Sequence, residues 1–234
     1  MPQLANASKN RLLATLPSED IQRLSPHCQQ ISLRQRDILY RTGEQIKHVY
    51  FIEQGIVSIL TNMLDGSTIE VGMIGTEGLV GMSAMLGAET SAQQAIVQIG
   101  GTALRMSTAP CRDAFDQSAA VRRVFHRFTD SLINLSAQTA ACNRLHSIEQ
   151  RCARWLLMAC DRNGSLTMPM TQEFLSSMLG VRRAGVTETA GELQRSGLIR
   201  YHRGQLTVID RNGLEASACE CYGIDHRRLE NLLE

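Results

Sequence analysis

Lysine is nearly missing from this chain: Lys9 and Lys47 are its only two, against 22 arginines (24 − 2) in 234 residues. Arginine is therefore the default cation, and its placement is more informative than its number. The formal net charge is only +1, which excludes a global basic field as the source of any affinity for polyanions. No run of about eighteen apolar residues occurs, so no membrane-spanning helix and no membrane partner are expected. The opening MPQLANASKN lacks the apolar core of a signal peptide, and a cytoplasmic protein is expected. The seven cysteines (28, 111, 142, 152, 160, 219, 221) are odd in number and scattered. No Cys-x-x-Cys pair exists to suggest a zinc ribbon or an iron–sulfur cluster. Cys219-x-Cys221 with His226 lacks a fourth ligand at sensible spacing, so no metal and no cofactor are expected, only reduced and mostly buried thiols. A phosphate-binding glycine loop, Gly-x-Ser-x-Gly and His-Glu-x-x-His are all missing, and an enzyme is not expected. Internal repeats and low-complexity tracts are also lacking.

What is present is a globular composition, 43% hydrophobic and 20% charged, long enough for one large or two small domains. Leu12, Leu13 and Leu16 form an early helical stripe that Pro17 breaks, and Ser18-Glu19-Asp20 opens a second short turn. From about 28 to 108 the period changes to two. Strand-length runs centre on Ile31–Leu33, Ile38–Tyr40, Val49–Ile52, Ile56–Leu60, Ile69–Met73, Ala95–Ile99 and Ala103–Met106. Glu53-Gln54-Gly55, Asp65-Gly66, Gly75 to Gly78 and Gly100-Gly101 read as the turns between them. Many short strands at this spacing predict an antiparallel roll, sandwich or barrel. After Pro110, Val121, Phe125, Phe128, Leu132, Leu135, Thr139 and Cys142 step by four and three. This heptad seam predicts a long helix that pairs with its twin in a parallel homodimer.

Ser147 to Gln150 is a capping box that opens the next helix. Thr171 to Ile199 reads as two helices around Gly180: Phe174, Leu175, Met178 and Leu179 share a face, then Val186, Ala190 and Leu193. Arg182, Arg183, Thr187 and Glu188 are left facing outward near the start of the second helix. Two short strands around Gly204 follow, carrying His202 and Arg203. Together these make a winged helix-turn-helix, whose second helix presents its first residues to the major groove of double-stranded DNA. From 182 to 211 six arginines face three carboxylates, a local balance of +3, which suffices for phosphate contact. Arg183 is expected to read a guanine, with Thr187 and Glu188 at neighbouring bases. Arg182 can equally hold phosphate, while Thr171, His202 and Arg203 position the backbone. A ligand-sensing regulatory module without DNA binding is the alternative, and the outward arginine pair and the wing argue against it.

A β domain, a long helix and a winged helix-turn-helix, in that order, resemble the CRP/FNR family of bacterial transcription regulators. The carriers of the resemblance are Val49 to Gly55, Glu77-Gly78-Leu79-Val80-Gly81, Ser147 to Leu157 and Thr171 to Ile199. It implies an α+β architecture in three parts: a jelly-roll-like antiparallel β-roll over residues 1–110, a dimerisation helix over 111–145, and a DNA-binding domain over 146–234. The effector-pocket candidates it implies are Gly78, Leu79, Val80, Gly81, Met82 and Ser91, with RNA polymerase as a candidate partner. Relatives that bind cyclic nucleotides carry a Glu just after the cradle glycine and an Arg-Ser/Thr downstream. Here Met82 follows Gly81, and Ala88 to Gln94 contains Glu89 and no arginine. Tight cyclic AMP binding is therefore not expected, since a buried phosphate needs a paired charge. The iron–sulfur relatives use clustered N-terminal cysteines, whereas Cys28 stands alone. His27, His48 and His126 read as structural and not as haem ligands. Met63, Met73, Met82, Met85 and Met106 read as pocket or ordinary core, and two expectations remain: an unidentified apolar effector binds, or the protein is active without one and is controlled by its amount. The reading helix departs from the family pattern: where many relatives place Glu, Ser or Gly, and Arg, the corresponding places here look like Ala184, Thr187 and Glu188, and the arginines instead precede, at 182 and 183.

Overall fold

The computed structural model describes residues 8–233, so most of the opening MPQLANASKN and Glu234 lie outside the described residues. Two short helices lead in, α1 (Arg11–Ala14) and α2 (Ser18–Leu24). Buried Asn10 joins them to the roll. Its Oδ1 accepts from Leu13 N at 2.9 Å, capping α1, and its Nδ2 donates to Ile52 O at 2.8 Å and Gly78 O at 2.9 Å. Leu12, Leu13 and Leu16 are buried as their spacing demands.

Six antiparallel strands form the roll: β1 (Gln29–Leu33), β2 (Ile38–Tyr40), β3 (His48–Asn62), β4 (Thr68–Ile74), β5 (Leu79–Val80) and β6 (Gln94–Ser107). Their order is β1-β6-β3-β4, with β2 on β6 and β5 on β3. Asp65-Gly66 makes the β3–β4 hairpin as expected. Glu53-Gln54-Gly55 and Gly100-Gly101 are not turns. They lie inside β3 and β6, which pair with each other from His48–Ser107 to Leu60–Gln94, with register shifts between Ile52 and Val57. A Cβ on Gly55 would sit 2.4 Å from Ile99 O, and one on Gly101 2.0 Å from Gln54 O. The glycines permit the close backbone approach of a bulge, which bends two long strands into a roll.

Helix α3 (Thr108–Gln117) leads to α4 (Ala119–Leu145), which Ser118 caps by accepting from Val121 N at 3.2 Å. The apolar seam of α4 faces its own subunit, which corrects its assignment as a dimer seam. Val121, Phe125 and Phe128 are fully buried in the roll core with Leu132 against them, Leu135 joins a second core, and Cys142 a third cluster. Side chains without free surface, as at Val121, Phe125, Phe128, Leu135 and Cys142, cannot meet a partner helix, whereas Leu132 and Thr139 are half-buried. Thr139 accepts from Arg154 at 3.1 Å.

The rest is winged: α5 (Ile148–Asn163), β7 (Thr167–Pro169), α6 (Gln172–Leu179), α7 (Arg183–Arg195), β8 (Ile199–His202), β9 (Gln205–Val208), α8 (Arg211–Ser217) and α9 (Cys221–Leu233). The capping box at Ser147 and Gln150 forms in both directions, 3.1 and 3.2 Å. Strand β7, too short and polar to stand out in the sequence, makes the wing three-stranded in the order β7-β9-β8. The second core joins Ile56, Leu60, Met73 and Ile99 of the roll to Trp155, Leu156, Leu175, Val186 and Leu193 of the winged part. Two buried polar links cross the same boundary: Arg162 Nε to Glu77 Oε1 at 2.9 Å, and Trp155 Nε1 to Glu70 Oε1 at 2.8 Å.

Candidate nucleic-acid interface and effector cleft

The helix-turn-helix follows from local chemistry. Thr171 caps α6 by accepting from Phe174 N at 3.1 Å, which leaves its hydroxyl proton available to a phosphate. Gly180 ends α6 at φ 62°, a left-handed conformation that side chains resist. A Cβ there would also lie 2.6 Å from Ile69 Cδ1 of β4. Val186, Thr189, Ala190 and Leu193 bury the inner face of α7. Arg182, Arg183, Ala184, Thr187 and Glu188 are exposed, grouped at the N-terminal start of α7 where unpaired amides add positive potential.

The wing stands beside them. His202 and Arg203 are exposed at its tip, and Arg203 at φ 47° with Gly204 at φ 77° gives the primed turn that matches strand twist. Tyr201 fixes the wing to the motif: its amide donates to Gln194 Oε1 at 2.7 Å and its hydroxyl to Met170 O at 2.5 Å. Seven candidates, Thr171, Arg182, Arg183, Thr187, Glu188, His202 and Arg203, thus come from three elements. Arg211 does not belong to this surface: it is held by Asp161 at 2.7 Å and Glu215 at 3.0 Å. The sequence reading missed Gln172, whose Oε1 accepts from the Thr187 hydroxyl at 2.8 Å. Its place on the first turn of α6 was the only available signal.

The effector candidates divide. Leu79, Gly81 and Met82 line a cleft of about 360 Å³ between the roll and α4, with Tyr40, Ile74, Leu132 and Ile133 among the other walls. Gly78, Val80 and Ser91 do not line it. A Cβ on Gly78 would meet Phe128 at 2.7 Å, and Val80 is core. Ser91 holds the loop to Gly43 and Glu44 through its backbone at 2.8 and 2.9 Å. Of the methionines, Met82 lines the cleft, Met73, Met85 and Met106 are core, and Met63 is exposed. No Arg, Lys or His is among the described residues that line the cleft, and its polar groups are Ser, Thr, Gln and a Tyr hydroxyl. Burial pushes the Tyr40 hydroxyl up to about 12, so it meets a ligand as a neutral donor.

His226 turns away from Cys219 and Cys221, toward Asp161 at 3.4 Å and Glu230 at 3.3 Å. Instead, Cys142 and His146 from the end of α4 reach the two cysteines, and the four ligand atoms lie within 4.8 Å of one another. The fourth ligand sought near Cys219 in sequence lies more than seventy residues upstream (219 − 142 = 77; 219 − 146 = 73).

Two family models match: the cyclic nucleotide-binding domain over residues 30–118 and the Crp-like helix-turn-helix domain over residues 150–217. The chain belongs to the CRP/FNR family of transcription regulators. No curated protein matches it by sequence. Among solved structures it is similar to FixK2 from Bradyrhizobium japonicum, at 16% identity and TM-score 0.71, over 82% of this chain and 98% of that one. It is also similar to the c-di-GMP responsive regulator CLP of Xanthomonas campestris, at 16% identity and TM-score 0.67, over 83% and 100%. A CRP-family transcriptional regulator from Thermus thermophilus aligns at 19% identity and TM-score 0.68, over 81% and 96%. At such identities the likeness is one of fold. No helix among the described residues is long and apolar enough to cross a membrane.

Proposed function

We propose that this regulator binds a two-fold operator as a homodimer, through Arg182, Arg183, Thr187 and Glu188 in the major groove, and that cyclic AMP does not gate it. The observation that carries the reading is the exposed arginine pair at the start of α7, set beside a wing tipped by His202 and Arg203. A dimer face is available on α4. Thr129, Ile133, Ser136 and Ala140 step by four, three and four on a side that flanks the buried seam; Ile133 is 63% exposed, while the Ser136 hydroxyl donates to Val71 O of β4 at 2.9 Å. Alanines at 137 and 140 let two helices approach closely. Two reading helices would then stand about one helical turn, roughly 34–36 Å, apart on the duplex.

The cleft opens beside this same face, since Thr129, Ile133 and Ser136 belong to both. A ligand there would touch the partner helix and so bias the dimer. The cationless lining favours a neutral, largely apolar effector over a phosphate, including the cyclic dinucleotide to which the Xanthomonas relative responds. RNA polymerase is a further candidate partner, and the cytoplasm the expected compartment. The test is selection of bound sequences from random DNA, with affinity followed as salt rises. A palindromic motif with steeply salt-dependent binding supports the reading. Absence of any enriched motif would leave the regulatory module without DNA binding. Micromolar cyclic AMP affinity by calorimetry would overturn the second half of the proposal.

A further inference from the structure

Three cysteines converge outside both main cores. Cys142, Cys219 and Cys221 are buried and form a cluster of their own, whereas Cys111, Cys152 and Cys160 sit singly among apolar side chains. Cys142 and His146 are one turn apart on α4, joined by the His146 N to Cys142 O bond at 3.1 Å. Cys219 and Cys221 lie at the junction of α8 and α9. Cys142 Sγ is 3.5 Å from Cys219 Sγ, and Cys221 Sγ is 3.7 Å from His146 Nδ1. All four ligand atoms fit within 4.8 Å. A tetrahedral zinc ion with Zn–S bonds of about 2.3 Å places its ligands roughly 3.8 Å apart, so the set needs only small adjustments.

From this geometry we propose that Cys142, His146, Cys219 and Cys221 bind one structural zinc ion that pins the start of α9 to the end of α4. Three soft thiolates and an imidazole favour Zn²⁺ over Mg²⁺ or Ca²⁺, and four protein ligands leave no open position for catalysis. The outer shell is in place. His146 Nε2 faces Glu220 Oε2 at 3.2 Å, which fixes the proton on Nε2 and leaves Nδ1 to the metal. Gln138 Nε2 donates to Cys221 Sγ at 3.0 Å, an interaction that stabilises a thiolate. On binding, the thiol protons of the three cysteines pass to solvent, and the site holds Zn²⁺ with three thiolates, a net charge of −1.

The place of the site gives it a consequence. Helix α9 runs back along α4: Arg127 donates to Asn231 O, and Leu229 and Leu232 enter the roll core, while Tyr222 belongs to the core of the winged part. The metal therefore anchors a strap that touches both halves of the molecule, at the joint where α4 gives way to α5.

The experiment uses the full chain, reduced and stripped with a chelator, then titrated with Co²⁺ and afterwards with Zn²⁺. The expected result is one equivalent of Co²⁺ with the intense visible absorption of a tetrahedral thiolate site, abolished by stoichiometric Zn²⁺. Zinc should also raise the melting temperature. Cys221→Ser and His146→Asn should lose the tetrahedral spectrum, and Glu220→Gln should weaken binding by roughly 10–100-fold. Cys28→Ser, outside the cluster, should bind as the parent does. Weak octahedral absorption, no uptake by the parent, or unchanged uptake in Cys142→Ser would overturn the proposal. So would a Cys142–Cys219 disulfide that persists in reductant and leaves five free thiols of seven. The parent titration needs no variant, so a misfolded mutant does not decide the outcome.

Discussion

At the level of single residues, Arg183 and Arg182 are neighbours to which the proposed function gives different tasks, a base contact for Arg183 and a phosphate contact at the edge of the groove for Arg182. Arg183 is the first residue of α7, and Arg182 precedes it in extended backbone as the N-cap. Arg183→Ala is expected to cost about 1–3 kcal/mol of operator affinity and to relax one base position per half-site. Arg182→Ala should weaken all sequences alike and reduce the salt slope by about one. Binding selections with each variant distinguish the two, and an unchanged motif for Arg183→Ala would remove it from the reading set. Glu70 is a second instructive residue. Burial pushes its carboxyl up from 4.5 to about 7, against the hydrogen bonds of Ser58 and Trp155 and the charges of Arg162 and Arg154. Its Oε2 has no partner. The folded protein thus holds this proton more tightly than the unfolded chain does. The stability Glu70 contributes is complete below about pH 4.5 and is lost as pH rises through about 7. Glu70→Gln should flatten that dependence and raise stability at pH 8 by up to roughly 3 kcal/mol. Melting curves between pH 5 and 8 check it, and the single tryptophan, Trp155, gives a local fluorescence signal.

Among the elements, α4 shows how one helix serves three neighbours. Its Val121, Phe125 and Phe128 side fills the roll, its Gln138 and Cys142 side meets the start of α9, and its Ile133 and Ala140 side is exposed. The first and third sides therefore respond differently to substitution. Phe125→Ala should destabilise the subunit by about 3–5 kcal/mol through lost burial and a cavity. Ile133→Asp should leave the subunit folded and make it a monomer by light scattering. A dimer that survives Ile133→Asp would place the interface elsewhere. A heptad repeat was legible in the sequence, but its partner was not. The same spacing describes a helix zipped to a twin and a helix laid on its own sheet, because each buries one stripe. The Gly55 and Gly100-Gly101 misreading is of the same kind: glycine marks both a turn and a bulge, and only the pairing partner tells them apart.

For the whole molecule, the decisive feature is that roll and winged domain share a core. Arg162 and Glu77 are each almost fully buried, at 6% and 5% exposure, and they pair across that boundary. Glu77 Oε1 also accepts from Gly75 N at 3.0 Å. Arg162→Ala strands a buried carboxylate and should cost about 3–5 kcal/mol in denaturant melts, whereas Arg162→Met with Glu77→Leu should recover most of it. If the single variant melts like the parent, the two domains are not coupled through this pair.

The amino-acid sequence alone determined the order of parts and the local chemistry of each. Period-two runs, the capping box, Gly180 between two amphipathic stripes and the outward Arg182-Arg183 pair are all encoded within a few residues of one another. The tertiary structure alone decided which faces are left over. It spent the α4 seam on the subunit's own core, kept Gly78, Val80 and Ser91 out of the cleft, and carried Cys142 and His146 to Cys219 and Cys221. The reason is range: caps and turns are set by neighbours in the chain, while burial and ligand geometry depend on residues brought together only when the chain closes on itself.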